Sequence, residues 1–344
     1  MKRSIPVNII ILLLSFAFLS DQASAQNIGE TTFRFKDESH NRPVVTEVWY
    51  PTADPVTQPT SNTYPFIHTP TVRDGKITIG RLPLILISHG TGGGRMTLEW
   101  LADKLVANGF IVAAVDHYGN TYDNKIAEDF VEPWRRPLDI SFALTSLLKD
   151  TTFGKHIDEK RIGAAGFSIG GYTVIALAGG RLNLTTLLAY FNTPDGKKEE
   201  AIPEFPGIDK LIKENAVEES FKSSPPLRDK RIKAFFAICP AIGQGFSNTE
   251  QFDDVKAPVY IVGAQSDGIA PVKTNAMHYH QLIKNSKITI IPGNVGHYVF
   301  LNEAVDNVKK QQPFIFADDP SVNRHQVHDQ VSQFAVDFFK ENLK

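Results

Sequence analysis

Residues 161–171, Arg-Ile-Gly-Ala-Ala-Gly-Phe-Ser-Ile-Gly-Gly, leave this chain few folds to choose from. Ile162, Ala164 and Ala165 read as a short buried strand, residues 172–178 read as a helix, and Gly166-Phe167-Ser168-Ile169-Gly170 sits on the turn between them. A serine hydroxyl is a weak nucleophile. A sharp strand-to-helix turn makes it useful by lifting it out of the sheet towards a base and leaving backbone N–H groups free for a reacting carbonyl. Gly166 and Gly170 suit that turn, because a Cβ at either would collide with the neighbouring strand or helix. The competing reading is a chance Gly-x-Ser-x-Gly in a loop. Val174, Ile175, Ala176 and Leu177 continue without a breaker, which argues for the turn.

At the N-terminus, Lys2 and Arg3 precede an apolar run over 9–19 and then Ala23-Ser24-Ala25. A positive start, an apolar middle and a small-x-small site predict a signal peptide over 1–25, with Gln26 first in an exported, periplasmic or secreted chain. The run is shorter than the about 18–20 residues that span a bilayer, which argues against a permanent membrane anchor. The remaining residues, 26–344, suit one large domain with an inserted segment. Hydrophobic residues make up 42% of the chain and charged residues 22%, enough for a substantial core. A net charge of -2 offers no reason to expect nucleic acid as a partner. The single cysteine, Cys239, excludes an internal disulfide framework and reads as a buried, unreactive thiol. No Cys/His cluster has metal-ligand spacing, and the chemistry below calls for no cofactor.

Taken in order, residues 31–35 and 44–50 alternate as an antiparallel hairpin. Residues 52–80, rich in Pro and Thr, read as surface loop with room for a small hairpin. Residues 82–88 form an apolar strand that ends in His89-Gly90-Thr91-Gly92-Gly93-Gly94. With neither Lys-Ser/Thr after these glycines nor Gly-x-Gly-x-x-Gly, the loop suits an oxyanion better than a nucleotide phosphate. A helix over 97–107 and a strand over 110–115 follow, ending in Asp116-His117-Tyr118. That end of a parallel strand faces the crevice where such sheets bind ligands, so His117 and Tyr118, with His89 and Gly92, are candidates for lining the substrate pocket. Fixing the loop by hydrogen bonds is the preferred role for Asp116 and His117, and packing on its own loop is the preferred one for His89. Arg135 and Arg136 stand before a helix over 137–149, either in ion pairs or holding an anionic substrate. Residues 181–230 are too long for an ordinary connection and read as a helical cap, with helices over 183–191 and 207–222. Strands over 232–238, 258–262 and 287–291, a helix over 272–283 and a closing helix over 327–342 complete an α/β architecture. It has a mainly parallel central sheet with helices on both faces.

Ser168 needs a base, and the base needs an orienting carboxylate. His297, in Gly293-Asn294-Val295-Gly296-His297, follows the last strand, and Asp267, in Gln265-Ser266-Asp267-Gly268, follows the one before. The order Ser168, Asp267, His297 then places a catalytic triad on loops at one sheet edge, with the N–H groups of Thr91 and Ile169 as oxyanion donors. His278 and His280 lie within a helix, His325 and His328 come too late in the chain, and Asp253 and Asp254 precede a strand. These are the weaker candidates.

The runs Ser88-His89-Gly90-Thr91-Gly92-Gly93, Asn108-Gly109-Phe110 through Asp116-His117, and Gly166-Phe167-Ser168-Ile169-Gly170-Gly171 together resemble the α/β-hydrolases. They resemble in particular the dienelactone-hydrolase-like proteins related to the platelet-activating-factor acetylhydrolases. The likeness extends from about Val44 to the C-terminus and is weakest in the cap. It implies the α/β-hydrolase fold and serine-hydrolase chemistry on a small-molecule ester, a lipid included. The turn carries Ser168 where dienelactone hydrolases carry cysteine, and Lys197, Lys198, Glu199 and Glu200 make part of the cap polar where the acetylhydrolases meet lipid with apolar helices. An exported carboxylic-ester hydrolase is the leading expectation. An amide or peptide hydrolase on the same triad and a non-catalytic binding protein on the same fold are the alternatives.

Overall fold

The computed structural model describes residues 27–57, 64–77 and 80–344. The expected signal peptide lies outside the described residues. Strands β1 (Asn27–Asp37) and β2 (Arg42–Thr52) form the hairpin in an antiparallel ladder that pairs Thr31 with Val48 and Phe35 with Val44. A short β3 (Thr71–Arg73) lies parallel to β1, where the sequence suggested loop with a small hairpin. Three residues are too few for alternation to register as a strand.

Six further strands run parallel to one another: β4 (Leu82–Ser88), β5 (Ile111–Val115), β6 (Ile157–Phe167), β7 (Ala234–Ile238), β8 (Val259–Ala264) and β9 (Ser286–Ile291). The sheet order is β3-β1-β2-β5-β4-β6-β7-β8-β9, and among these β2 alone runs against its neighbours. The apolar runs of β4, β5, β7 and β8 are continuous because both faces of the sheet are covered there. Leu84 and Leu86 point into one core, and Ile85 and Ile87 into the other. Phe235 and Ala237 divide in the same way from Phe236 and Ile238.

Helix α1 (Glu99–Val106) follows β4, and α2 (Ala127–Val131) and α3 (Arg136–Lys149) follow β5. Helix α4 (Ile169–Ala178) leaves β6. Helices α5 (Leu184–Phe191), α6 (Gly196–Glu199) and α7 (Asn215–Ser223) occupy the stretch before β7. Helix α8 (Ala276–Leu282) joins β8 to β9, and α9 (Asp306–Gln311), α10 (Pro313–Phe316) and α11 (Arg324–Asn342) close the chain. Residues of α3, α4, α5 and α7 pack into the first core, and those of α1 and α11 into the second. The helix expected over 207–222 is divided: a 3-10 turn, Ile208–Lys213, ends at an extended Glu214 before α7 begins. Helices α2, α6, α9 and α10 have four to six residues each, too few for a helical period to appear in sequence. No helix among the described residues is long and apolar enough to cross a membrane.

Candidate active site

Ser168 stands between β6 and α4 with φ 58° and ψ -121°, a conformation that costs a non-glycine residue about 1–3 kcal/mol. The surrounding glycines explain how the turn closes. A Cβ on Gly166 would lie 2.1 Å from the Gly170 carbonyl oxygen, and one on Gly170 would lie 2.0 Å from that of Ser88. The elbow therefore presses directly on the end of β4, whose Ser88 pairs with Gly166 in the sheet. Glycine is needed at both places because another backbone, which has no rotamer to yield, fills the space.

Asp267 follows β8 and His297 follows β9, so three neighbouring regions at one edge of the sheet bring the groups together. His297 Nδ1 lies 2.6 Å from Asp267 Oδ2, and His297 Nε2 lies 3.0 Å from Ser168 Oγ. The other carboxylate oxygen, Oδ1, accepts the N–H groups of Ile269 and Ala270 at 2.9 and 2.7 Å, which fixes the plane of the carboxylate. With Nδ1–H donating to Asp267, the Nε2 lone pair faces the serine hydroxyl. All three side chains are buried, and the Phe167 ring lies 4.7 Å from the imidazole, centroid to centroid. Cys239 lies behind Asp267. Burial first, then the neighbouring carboxylate, pushes its thiol well above the ordinary range and keeps it in the un-ionised, unreactive form.

The glycine loop passes close to Ser168: a Cβ built on Gly90 would be 3.4 Å from Ser168 Cβ. Among the described residues, neither the Thr91 nor the Ile169 N–H donates a hydrogen bond. Two available donors beside a serine are what a developing oxyanion requires. A buried network holds the loop from below. Arg136 Nη2 donates to the His89 carbonyl and Nη1 to Asn120 Oδ1 at 3.2 Å. Asn120 Oδ1 also accepts the Gly92 N–H at 3.0 Å.

A cavity of about 110 Å³ opens over Ser168, His297, Thr91 and Ile169. Phe130 and Trp134 form part of its apolar wall, and Leu184, Leu187, Phe191 and Ile212 contribute from the stretch between α4 and β7. That stretch is tied to the body by ring contacts, Phe130 to Phe205 and Trp134 to Phe221, each with centroids 5.1 Å apart. Two polar anchors stand at the same cavity. Glu204 accepts the Tyr298 hydroxyl at 2.8 Å, and Glu199 accepts those of Tyr190 at 2.7 Å and Thr274 at 2.8 Å.

Comparison with known proteins agrees with the fold. A ferulic acid esterase from Streptomyces cinnamoneus superposes with a TM-score of 0.61 over 93% of this chain and 91% of its own, at 18% identity. The chain has the α/β-hydrolase fold. Residues 57–127 of this chain match the family model of platelet-activating factor acetylhydrolase, isoform II, a span that includes the glycine loop but ends before the elbow. Lipase 1 of Moraxella sp. (strain TA144) is 32% identical over 122 residues, 36% of this chain. The match spans about a third (34%) of that lipase's length.

The residues weighed for the pocket lie elsewhere in the structure. His89, Gly92, His117 and Tyr118 do not line the cavity over Ser168. His117 is fully buried, its Nε2 2.9 Å from Ser88 Oγ and its Nδ1 2.9 Å from Asp139 Oδ2, so hydrogen bonding within the scaffold occupies both nitrogens. His89 turns inward as well: Nδ1 meets the Gly90 carbonyl at 2.6 Å, and Nε2 accepts the His117 N–H at 3.2 Å. Burial first, then the Arg136 charge, holds both imidazoles well below the usual histidine range, and hence neutral. Gly92 lies under Glu204, and the Tyr118 ring lies against the Arg42 guanidinium in a separate cleft. The rival groups have other partners: His278 meets the Phe246 carbonyl, His328 meets that of Val299, and Asp254 pairs with Arg181 and Arg228. Sequence reading missed Phe130 and Trp134. Both belong to short elements after β5, and only their convergence with the stretch between α4 and β7 shows them to be wall residues.

Proposed function

We propose that this chain hydrolyses carboxylic esters through an acyl-enzyme on Ser168. The observation that carries the reading is the hydrogen-bonded series Asp267–His297–Ser168, ending on a strained serine that faces a cavity. In the first half-reaction His297 Nε2 takes the hydroxyl proton as Ser168 Oγ bonds to the ester carbon, and the carbonyl electron pair moves onto oxygen. The N–H groups of Thr91 and Ile169 receive that oxyanion, each such donor being worth roughly 3 kcal/mol of barrier. Asp267 holds the imidazolium while it carries the extra proton. Collapse breaks the carbon–oxygen bond to the leaving alcohol, which takes the proton from His297. Water then repeats the sequence on the acyl-enzyme and releases the acid.

The lipase, the esterase and the acetylhydrolase family to which the chain is similar all bear names of ester-cleaving proteins, which supports this class over amides. A cavity of about 110 Å³ favours short acyl groups. Export after cleavage of residues 1–25 belongs to the same proposal; N-terminal sequencing of secreted protein is expected to begin at Gln26. The chemical test is a panel of p-nitrophenyl esters of increasing acyl length, with matched anilides and a phospholipid. Short esters are expected to be cleaved fastest, and Ser168→Ala to remove turnover. Hydrolysis that survives this substitution in a folded protein would refute the mechanism.

A further inference from the structure

We propose that Arg136 is a positioning residue for the oxyanion loop and the source of the positive charge behind it, an inference that rests on the ester-hydrolase reading. Arg136 is buried to 1% exposure. Among the described residues no carboxylate comes within ion-pair distance of its guanidinium, because the acidic groups around it have other partners. Asp129 pairs with Arg42 at 2.6 Å and Arg135 at 3.1 Å. Asp139 meets Arg42 at 3.1 Å and His117 at 2.9 Å, and Glu132 pairs with Arg135. The Nε of Arg136 has no hydrogen-bond partner. A buried cation without a direct counter-ion is costly, and Arg136 adds to that cost by opening α3, at the positive end of the helix dipole. Satisfying carbonyl groups alone would not require a full charge there.

What the guanidinium touches points to its use. It grips the oxyanion loop on both sides of Thr91: directly at the His89 carbonyl, and at the Gly92 N–H through Asn120 Oδ1. The Thr91 N–H is therefore held between two tethered residues, one or two positions away. When the ester carbonyl becomes an oxyanion beside Ser168, it meets this prearranged donor with a fixed positive charge behind the loop. Arg136 itself is sealed from solvent, so its field is only weakly screened. The ground-state ester carries no such charge, so the benefit falls on the transition state and appears in kcat rather than KM.

The test first establishes that wild type cleaves p-nitrophenyl acetate and that Ser168→Ala does not. Failure at that step refutes the ester-hydrolase reading, and this inference with it. With that activity in hand, Arg136→Met and Arg136→Lys are compared for kcat, for KM and for affinity towards an alkyl trifluoromethyl ketone, whose adduct with serine bears the oxyanion. Folding of each variant is checked by circular dichroism. Arg136→Met is expected to lower kcat about 100-fold, to weaken the ketone by a similar factor and to leave KM within about threefold. Arg136→Lys, which keeps the charge, is expected to recover at least about tenfold of that loss. A folded Met variant with kcat within about threefold of wild type would overturn the proposal, as would a loss that appears mainly in KM, or equal losses in Lys and Met. If the Met variant does not fold, Asn120→Ser, which loosens the tether between Arg136 and the Gly92 N–H, decides: lowered kcat with parallel weakening of the ketone supports the proposal, and unchanged kcat overturns it.

Discussion

At Ser168 the backbone is held in a conformation that a free chain would avoid, and two glycines make that conformation affordable. Gly170 is the more tightly confined, since a methyl group there would stand 2.0 Å from the Ser88 carbonyl and 2.7 Å from that of His89. Relief would require the elbow to move away from β4, carrying Ser168 away from the Thr91 N–H. Gly170→Ala is therefore expected to destabilise the fold by about 3 kcal/mol and to lower kcat for the proposed ester hydrolysis about 100-fold in whatever folds. Urea denaturation and initial rates on the same preparation check both. A variant as stable and as active as wild type would show that the elbow can relax without disturbing the oxyanion donors. The three proposed catalytic groups were readable because each follows a recognisable apolar strand. The inward turn of His117 was not, since its partners Ser88 and Asp139 lie 29 and 22 positions away.

At the level of elements, α1 and α11 pack on one face of the sheet and bring titratable groups out of water. Trp100 stacks on His328 with centroids 4.2 Å apart, and Glu99 accepts the Tyr64 hydroxyl at 2.9 Å. Burial, then the charge of Asp103, raises Glu99 from 4.5 to about 8, whereas burial lowers His328 from 6.5 to about 3. Between pH 4.5 and about 8 the folded protein keeps the Glu99 proton that the unfolded chain has released. The folded state then binds more protons, so this contribution to stability is full below pH 4.5 and is lost as pH rises towards 8. His328 acts in the opposite sense: it is neutral when folded, and its contribution is lost as pH falls from 6.5 towards 3. Glu99→Gln cannot ionise. It is expected to exceed wild type in stability by about 1–3 kcal/mol at pH 8 and to match it near pH 4.5, as read from urea midpoints at the two pH values. A gain of equal size at both pH values would show that the effect is not ionisation. None of this was legible in sequence, where Glu99 looks like an ordinary acidic residue in the first turn of a helix.

Across the whole molecule, the site depends on an element that contributes nothing to its chemistry. Phe339 of α11 is fully buried against β6, where a Cβ on Gly163 would lie 2.6 Å from its ring. Phe339→Ala is expected to cost about 3–5 kcal/mol in urea unfolding and to lower the temperature at which activity is lost, with kcat at 20 °C nearly unchanged. A loss of kcat without loss of stability would mean that α11 positions the site directly. The sequence by itself determined the parallel strands, the elbow and the order Ser168, Asp267, His297, because apolar runs and flanking glycines are local signals. Tertiary structure alone decided which residues form the cavity wall and which are sealed beneath it. It turned His89 and His117 inward, brought Phe130, Trp134 and Leu187 to one cavity, and left Arg136 buried with no carboxylate in ion-pair distance among the described residues. Exclusion of water and the pairing of charges depend on residues far apart in the chain. Arg42 reaches Asp139 across 97 positions, and that pairing leaves Arg136 without an ion-pair contact to the acid of its own helix, whose charge acts on it only from a distance.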